Sequence, residues 1–482
     1  MNEKLIKYKR FLKWSLTFIV LETAFLIVSL NNELFFSKVL INYLLVLSLV
    51  PLVIEQIKRG KIDPLSPFAI FSFSYTLLFG IKAVDILVFR RILFLEDHQF
   101  YIKALIYAII GLHFFQIGYF TKAWQLLTKK RQIIKPIWSF KKFQLILSFY
   151  SIISIISFLV IIKLSGGFSF YFQNIHAAMV KITSGSALFF MAVLLIEVPL
   201  LLWFSYVLEL KKNAFAFSLF LALVLFLFFS LGERGHLISL VISLLAIYHY
   251  EKKNLTLKSL VLFAVAFILF LSIYGQYREF SKHNISIKRL GFNAKIGLEA
   301  VYHTAMADFD QLIRVKDILK HTPDGLDYQL GKTFLNLFFK PIPSRIWDEK
   351  PQGAGLIVTK HLYPKHFQAH VTVAPSLIGE LYLNFHIVGI ILGFFVFGVM
   401  SRALYEKLQF CQGNKNFLII YATLLPFIYS ELRGDFAVVT SFLIFKLFFL
   451  LLALNYVTVQ QNRYAFSDKG LIEISTHYEN LH

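Results

Sequence analysis

An all-α polytopic membrane fold, with about 12 transmembrane helices and one large extracytoplasmic loop, is what this sequence predicts. Three observations carry that reading. Of its 482 residues, 57% are hydrophobic and only 16% charged, with a mean hydropathy of +0.66, which excludes an ordinary water-soluble enzyme. Apolar runs of spanning length recur along the chain, and its 54 Phe suit lipid-facing helices with aromatic belts. Basic residues cap those runs instead of forming one continuous face, so the net charge of +21 argues for membrane topology and against a nucleic-acid partner.

The spans fall near 11–30, 36–57, 66–89, 100–120, 142–164, 187–209, 213–231, 236–250, 257–275, 378–400, 416–431 and 436–457. Met1–Leu30 has the basic start and apolar run of a secretory signal. It runs from Leu26–Leu30 into Asn31-Asn32 without a small-residue cleavage site, so it reads as a retained first helix. With the N-terminus in the cytoplasm, the inside connectors carry 25 Lys and Arg, including Lys4, Arg59, Arg131 and Lys212, and the short outside connectors carry 8. Both termini are then cytoplasmic. The chain divides into transmembrane helices over 1–275, an extracytoplasmic loop over 276–375, transmembrane helices over 376–457 and a cytoplasmic tail over 458–482. Ser165–Ser186, with Gly166-Gly167, is a second outside loop lying along the interface. Cys411 is alone, which excludes an intrachain disulfide.

Residues 276–375 hold 14 Lys and Arg, 9 Asp and Glu, and six of the chain's 14 His. A bilayer cannot hold such a segment against lipid, because unpaired charge and irregular backbone cost too much there. From Asn293 to about Lys320, Ile296, Val301, Met306, Phe309, Leu312 and Ile313 recur at near-helical spacing and predict an amphipathic helix. It contains Asp308-Phe309-Asp310, which resembles the D-x-D of metal-dependent glycosyltransferases. On a helix, residues two apart face nearly opposite sides, so the pair is a poor chelator and Asp310 is better placed to meet Arg314. Phe339–Gly355 follows, stiffened by Pro341, Pro343 and Pro351, with Lys340, Arg345 and Lys350 around Trp347. Rigid cations suit a diphosphate and an indole suits a sugar face; the plainer reading is a capping loop over the outer surface. Glu380 opens the next span, placed to act as a general base or as an arginine counter-ion.

Two Arg-Gly pairs stand at short outer turns: Glu233-Arg234-Gly235-His236, and Glu431-Leu432-Arg433-Gly434-Asp435. A guanidinium held there is a fixed cation with forked donors, suited to a phosphate or diphosphate, and the glycine permits a tight turn. The alternative is that each Arg pairs with its neighbouring acid, Glu233 or Glu431/Asp435, or snorkels to headgroups. Within the spans, Lys82 and Asp85 sit one turn apart, and Lys446 needs a partner such as Glu197. Buried pairs account for these better than a proton pathway does.

The stretch from about His303 to Asp435 resembles the bacterial oligosaccharide repeat-unit polymerases, the O-antigen polymerase family. Phe309-Asp310, Pro343-Ser344-Arg345, Lys350-Pro351, Ser376–Phe385 and Arg433-Gly434-Asp435 carry the resemblance, together with the earlier Arg234-Gly235. His386 stands where such proteins often carry Gly. The resemblance implies a helical bundle similar to the GT-C-type membrane glycosyltransferases, in a bacterial inner membrane. It implies transfer of a growing glycan from undecaprenyl diphosphate onto a hydroxyl of the next lipid-linked repeat unit, for O-antigen or capsule. It implies Arg234, Arg433, Arg345 and Glu380 as catalytic positions, with Arg278, His303, Lys340, Trp347, Lys350, Tyr382 and Asp435 binding substrate. Fixed guanidinium groups can replace a metal, so no metal or other cofactor is expected. The partners it implies are the lipid-linked oligosaccharide, a flippase and a chain-length regulator. An O-antigen ligase, or a flippase for the same lipid-linked oligosaccharide, is the competing expectation.

Overall fold

The computed structural model describes residues 33–59, 63–89, 96–128, 135–173, 187–210, 213–232, 234–252, 308–340 and 349–459, with residues 255, 256, 259, 260, 262, 266, 302, 306 and 347 between them. Helix dominates. In chain order the principal elements are α1 (Glu33–Arg59), α2 (Pro67–Tyr75), α3 (Lys82–Phe89), α4 (His98–Phe120), α5 (Phe140–Leu164), α6 (Ala187–Leu194), α7 (Glu197–Leu210), α8 (Ala214–Ser230) and α9 (Arg234–Glu251). After the outer segment's α10 (Gln311–His321), α11 (Lys332–Phe339) and α12 (Ala354–Leu362) come α13 (Ser376–Phe410), α14 (Lys415–Arg433) and α15 (Phe436–Val457).

Among the described residues, seven helical stretches are long and apolar enough to cross a membrane. They cover α1, the α2–α3 run, α4, α5, the α6–α7 run, α13 and α15. The expected spans 213–231, 236–250 and 416–431 also fall on helices, shorter or less apolar ones, in α8, α9 and α14. The expected spans at 11–30 and, for nearly all its length, 257–275 lie outside the described residues. A multi-pass, all-α membrane protein is what these helices make.

Local chemistry sets the helix ends. The Ser66 hydroxyl accepts from Ala69 N with Pro67 at the first helical position, which starts α2. Asn414 caps α14 through Phe417 N, and Asp435 caps α15 through Val438 N. A π turn over Thr76–Ile81 joins α2 to α3. α13 is broken inside: His386 has φ 55°, ψ −151°, a region that glycine alone adopts without strain. A glycine at this position would relieve that strain. The break separates a wholly buried first segment, Ser376–Asn384, from the long helix below it.

The centre of the bundle is the α4–α13 contact, where two backbones meet directly. A Cβ on Gly398 would lie 2.1 Å from the Phe115 carbonyl oxygen, and one on Gly118 would lie 2.1 Å from that of Phe395. Small residues at such crossings let helices pack closely where lipid offers no hydrophobic drive. The stacked rings of Phe71 and Phe115 fill the space beside them. Ion pairs lie within the bundle as well. Lys82 bridges Asp85 at 3.0 Å and Asp310 at 2.7 Å, and Lys446 meets Glu197 at 2.5 Å. The Lys82–Asp85 and Lys446–Glu197 pairings are both ones the sequence suggested.

At the opposite end of the bundle from the loop, Asp63 accepts from the Tyr250 and Tyr405 hydroxyls, each at 2.8 Å, with His249 Nε2 at 3.3 Å. Burial alone would raise this carboxyl, but those three donors more than offset it and hold it below its ordinary value. Its contribution to stability is therefore present above the unfolded-state pKa and is lost as pH falls through the depressed one. Asp63→Asn should lower the melting temperature in detergent at neutral pH, and by less in acid. A second outcome follows from the α4–α13 crossing: Gly398→Val should cost more than the ~1–3 kcal/mol of ordinary overpacking, because backbone cannot yield. A melting temperature unchanged from wild type would show that the crossing tolerates a side chain.

Candidate active site

α9 begins, and α14 ends, at the side where the loop lies. These two helices pack along their length, with the Ser243 hydroxyl donating to the Ala422 carbonyl at 2.8 Å. Their neighbouring ends therefore bring Arg234 and Arg433 together, although the two are far apart in sequence. Both reach the same carboxylate. Asp308 Oδ2 lies 2.5 Å from Arg234 Nη1, and Asp308 Oδ1 lies 3.5 Å from Arg433 Nη2. Arg234 is 10% exposed and its Nε has no hydrogen-bond partner among the described residues.

The loop is seated so that Asp308 arrives there. α10 buries Leu312, Val315, Ile318 and Leu319 against α4 and the start of α13. Lys316 and Lys320 grip Asp97 at 2.9 and 2.7 Å, and the Tyr363 hydroxyl donates to Asp317 at 2.5 Å. α10 starts at Gln311 after a turn over 308–310, Tyr302 and Met306 before the turn are helical, and 293–301 lie outside the described residues. The opposite-faces argument for Asp308 and Asp310 therefore does not apply. In the turn, Asp308 goes to the arginines and Asp310 goes to Lys82. Arg314, expected to meet Asp310, instead donates to the Ala374 carbonyl at 3.2 Å. Burial, then the Arg433 guanidinium beside it, push Arg314 below the usual guanidinium value.

Two guanidinium groups thus share one carboxylate at the outer ends of the helices, and Arg314 stands beside Arg433. Beneath them is a cavity of about 370 Å³ lined by Arg433, Arg314, Gly235, His236 and the Glu197–Lys446 pair. A second cavity, about 1080 Å³ and largely apolar, runs between α13, α14 and α15. Phe427 and Leu443 line both. Among the described residues no group of three His, Cys, Asp or Glu is placed to hold a metal ion.

Residues 12–462 match the family described as O-antigen polysaccharide polymerase Wzy, nearly the whole chain. The chain belongs to this family. No curated protein and no solved structure gives a significant match. Membership assigns the protein, in general terms, to O-antigen polysaccharide polymerisation, and the site has to be read from its own geometry.

The other residues singled out in this polymerase have varied surroundings. Both oxygens of Glu380 are engaged, by the Thr333 hydroxyl and by Phe436 N at 2.8 Å each, and its side chain is fully buried. It ties the first segment of α13 to the start of α15. Asp435 accepts from Gly355 N at 2.6 Å as well as capping α15, so the Gly353–Gly355 stretch docks on the Arg433-Gly434-Asp435 turn. Lys340 donates to Ser441 and lies over the Phe442 ring; burial pushes its pKa down. Tyr382 is 1% exposed beneath Tyr328 and His386, and so supports a surface without forming one. Trp347 is exposed and packs edge-on to Phe339, while Lys350 is half-buried. Arg278, His303 and Arg345 lie outside the described residues.

From sequence, Asp308 is weighed only as half of a poor chelating pair, Arg314 as a partner for Asp310 and Glu431 as a partner for Arg433, none of them as a site residue. An Asp immediately before an apolar-periodic run is a helix-start signal, and it would have placed Asp310 at a cap and Asp308 in the preceding turn. A double-mutant cycle on Arg234→Ala and Asp308→Ala should return a coupling of about 0.5–3 kcal/mol in thermal stability. Strict additivity would mean that the pair does not act together.

Proposed function

We propose that this chain extends a glycan by transferring it from a polyprenyl (undecaprenyl) diphosphate carrier onto a hydroxyl of the next lipid-linked repeat unit. The reaction takes place at the outer face of the bacterial inner membrane, in an arrangement like that of GT-C-type glycosyltransferases. The observation that carries this reading is the meeting of Arg234 and Arg433 at Asp308, with Arg314 beside Arg433, above a cavity at the membrane edge.

When the anomeric carbon–oxygen bond breaks, the electron pair leaves with the diphosphate, and that developing charge needs fixed cations. Guanidinium groups supply it in forked geometry without reorganising during the step. Asp308 keeps the two turn arginines aimed before substrate arrives and is outnumbered by cations once it does. Arg345 and Arg278 of the loop are further cations for the same diphosphate. Lys340, Trp347, Lys350, Asp435 and His303 belong to the surface that receives the sugars. A flippase delivering the units and a regulator of chain length are the partners this reading calls for. Family membership favours polymerisation over ligase and flippase alternatives.

Glycan length on gels tests it, in cells lacking the gene and rescued with matched levels of wild type, Arg234→Ala, Arg433→Ala or the corresponding lysine variants. Wild type should restore a ladder. Each alanine variant should give single-unit glycan, as a loss of ~10²–10³-fold in rate for one transition-state donor requires. Lysine should recover little, because it lacks the fork. Complete loss of surface glycan in the deletion cells would instead favour a ligase or flippase. Full ladders in both alanine variants would remove the arginines from the mechanism.

A further inference from the structure

Glu431 is buried to 4% exposure at one end of the large groove, and neither of its oxygens has a hydrogen-bond partner among the described residues. Buried polar groups are almost always satisfied, so two open carboxylate oxygens on one side chain need an explanation. The nearby carboxylates do not supply one. Glu380 and Asp435 stand near Glu431, and their own oxygens are engaged with Thr333, Phe436 N, Gly355 N and Val438 N. A second open group faces the same groove: the Thr440 hydroxyl on α15 is also buried without a partner among the described residues. In a groove otherwise walled by aliphatic and aromatic side chains, these atoms await a polar ligand that the protein does not contain.

We propose that Glu431 takes the proton from the attacking sugar hydroxyl, with Thr440 helping to hold that sugar. This assignment rests on the polymerase reading above. The helix supplies the geometry. Residues 431 and 433 are two apart on α14, about 200° around its axis, and they line different cavities. Displacement at an anomeric carbon brings the nucleophile in opposite to the leaving group. Arg433 meets the departing diphosphate on one side, and Glu431 meets the incoming hydroxyl on the other, with Phe427 and Leu443 as the wall between. In the step, the acceptor oxygen bonds to the anomeric carbon, and that carbon's bond to the diphosphate oxygen breaks. The electron pair leaves with the diphosphate, the hydroxyl proton goes to a Glu431 oxygen, and it passes on to water after product release. Near this end of the groove the rings of Tyr328 and His386 offer a face to the acceptor sugar.

Full-length protein in lipid nanodiscs is given lipid-linked repeat units extracted from cells lacking the gene, and extension is followed on gels at several pH values. Glu431→Gln keeps the side-chain volume and removes a buried charge, so it is expected to fold. Extension should slow by about 100-fold or more with KM little changed. The acidic limb of the wild-type rate profile should disappear with it. Glu431→Ala should show the same loss and recover activity in formate, which can occupy the vacated space as a free base. Wild-type extension rates in Glu431→Gln overturn the assignment and leave the polymerase reading standing. Loss in both variants with no recovery in formate makes the residue structural and likewise overturns it. Failure of wild type to extend the units at all would sink the polymerase reading itself.

Discussion

A guanidinium held at the edge of a bilayer needs an anion within reach, and in this protein a single carboxylate answers two of them. Asp308 can do so because the start of α9 and the end of α14 lie side by side and α10 is clamped to the bundle by Asp97 and to the rest of the outer segment through Asp317 and Tyr363. The pairing therefore ties the outer segment to the membrane helices. Arg314 stands beside Arg433 and, among the described residues, hydrogen-bonds only to the Ala374 carbonyl, which adds a further cation to this end. Buried ion pairs contribute little net stability, because desolvation offsets the attraction. A surplus cation near such a pair makes sense when an anionic ligand supplies the missing charge.

Much of the architecture was legible because the bilayer constrains sequence so tightly. Apolar length marked the helices, and the Arg-Gly pairs at 234 and 433 marked the turns that proved to be neighbours. Lys446 with Glu197 and Lys82 with Asp85 followed from the cost of an unpaired charge in lipid. What the sequence concealed were contacts across long separations. Nothing local to Asp308 names Arg433 as its partner, and the apolar spacing after Asn293 drew the helix through the turn that frees it. Glu380 looked like a base because its position was readable while its two donors, Thr333 and Phe436 N, were not. Glu431 looked like a counter-ion because Arg433 is close in sequence, although the helix turns the two side chains apart.

The same separation explains how one short motif serves both halves of the proposed reaction. Glu-Leu-Arg-Gly-Asp places an open carboxylate, a buried leucine, a cation, a turn and a cap in succession. Gly434 is required there by space: a Cβ would lie 2.4 Å from Val439 Cγ2 and 2.6 Å from the Ser430 carbonyl. Asp435 then starts α15 and receives Gly355 N, so the loop is fastened to the residue next but one after Arg433. Helix geometry, turn and cap together fix where the cation and the carboxylate point, with no reliance on a mobile loop.

Charged side chains deep in the bundle and those at its outer ends are satisfied in different ways. Deep in the bundle, Lys82, Asp85, Glu197 and Lys446 are all ion-paired. At the outer ends, Arg234 Nε, both Glu431 oxygens and Thr440 Oγ1 are buried without hydrogen-bond partners among the described residues. Such groups cost stability unless something satisfies them, and sequences depart from local rules in this way at functional sites. Donors to the side of the small cavity and open acceptors to the side of the groove are the pattern demanded by a substrate with a diphosphate at one end of the reacting bond and a hydroxyl approaching the other. A purely structural outer surface would have closed those groups on one another, as Glu380 and Asp435 are closed on their backbone donors.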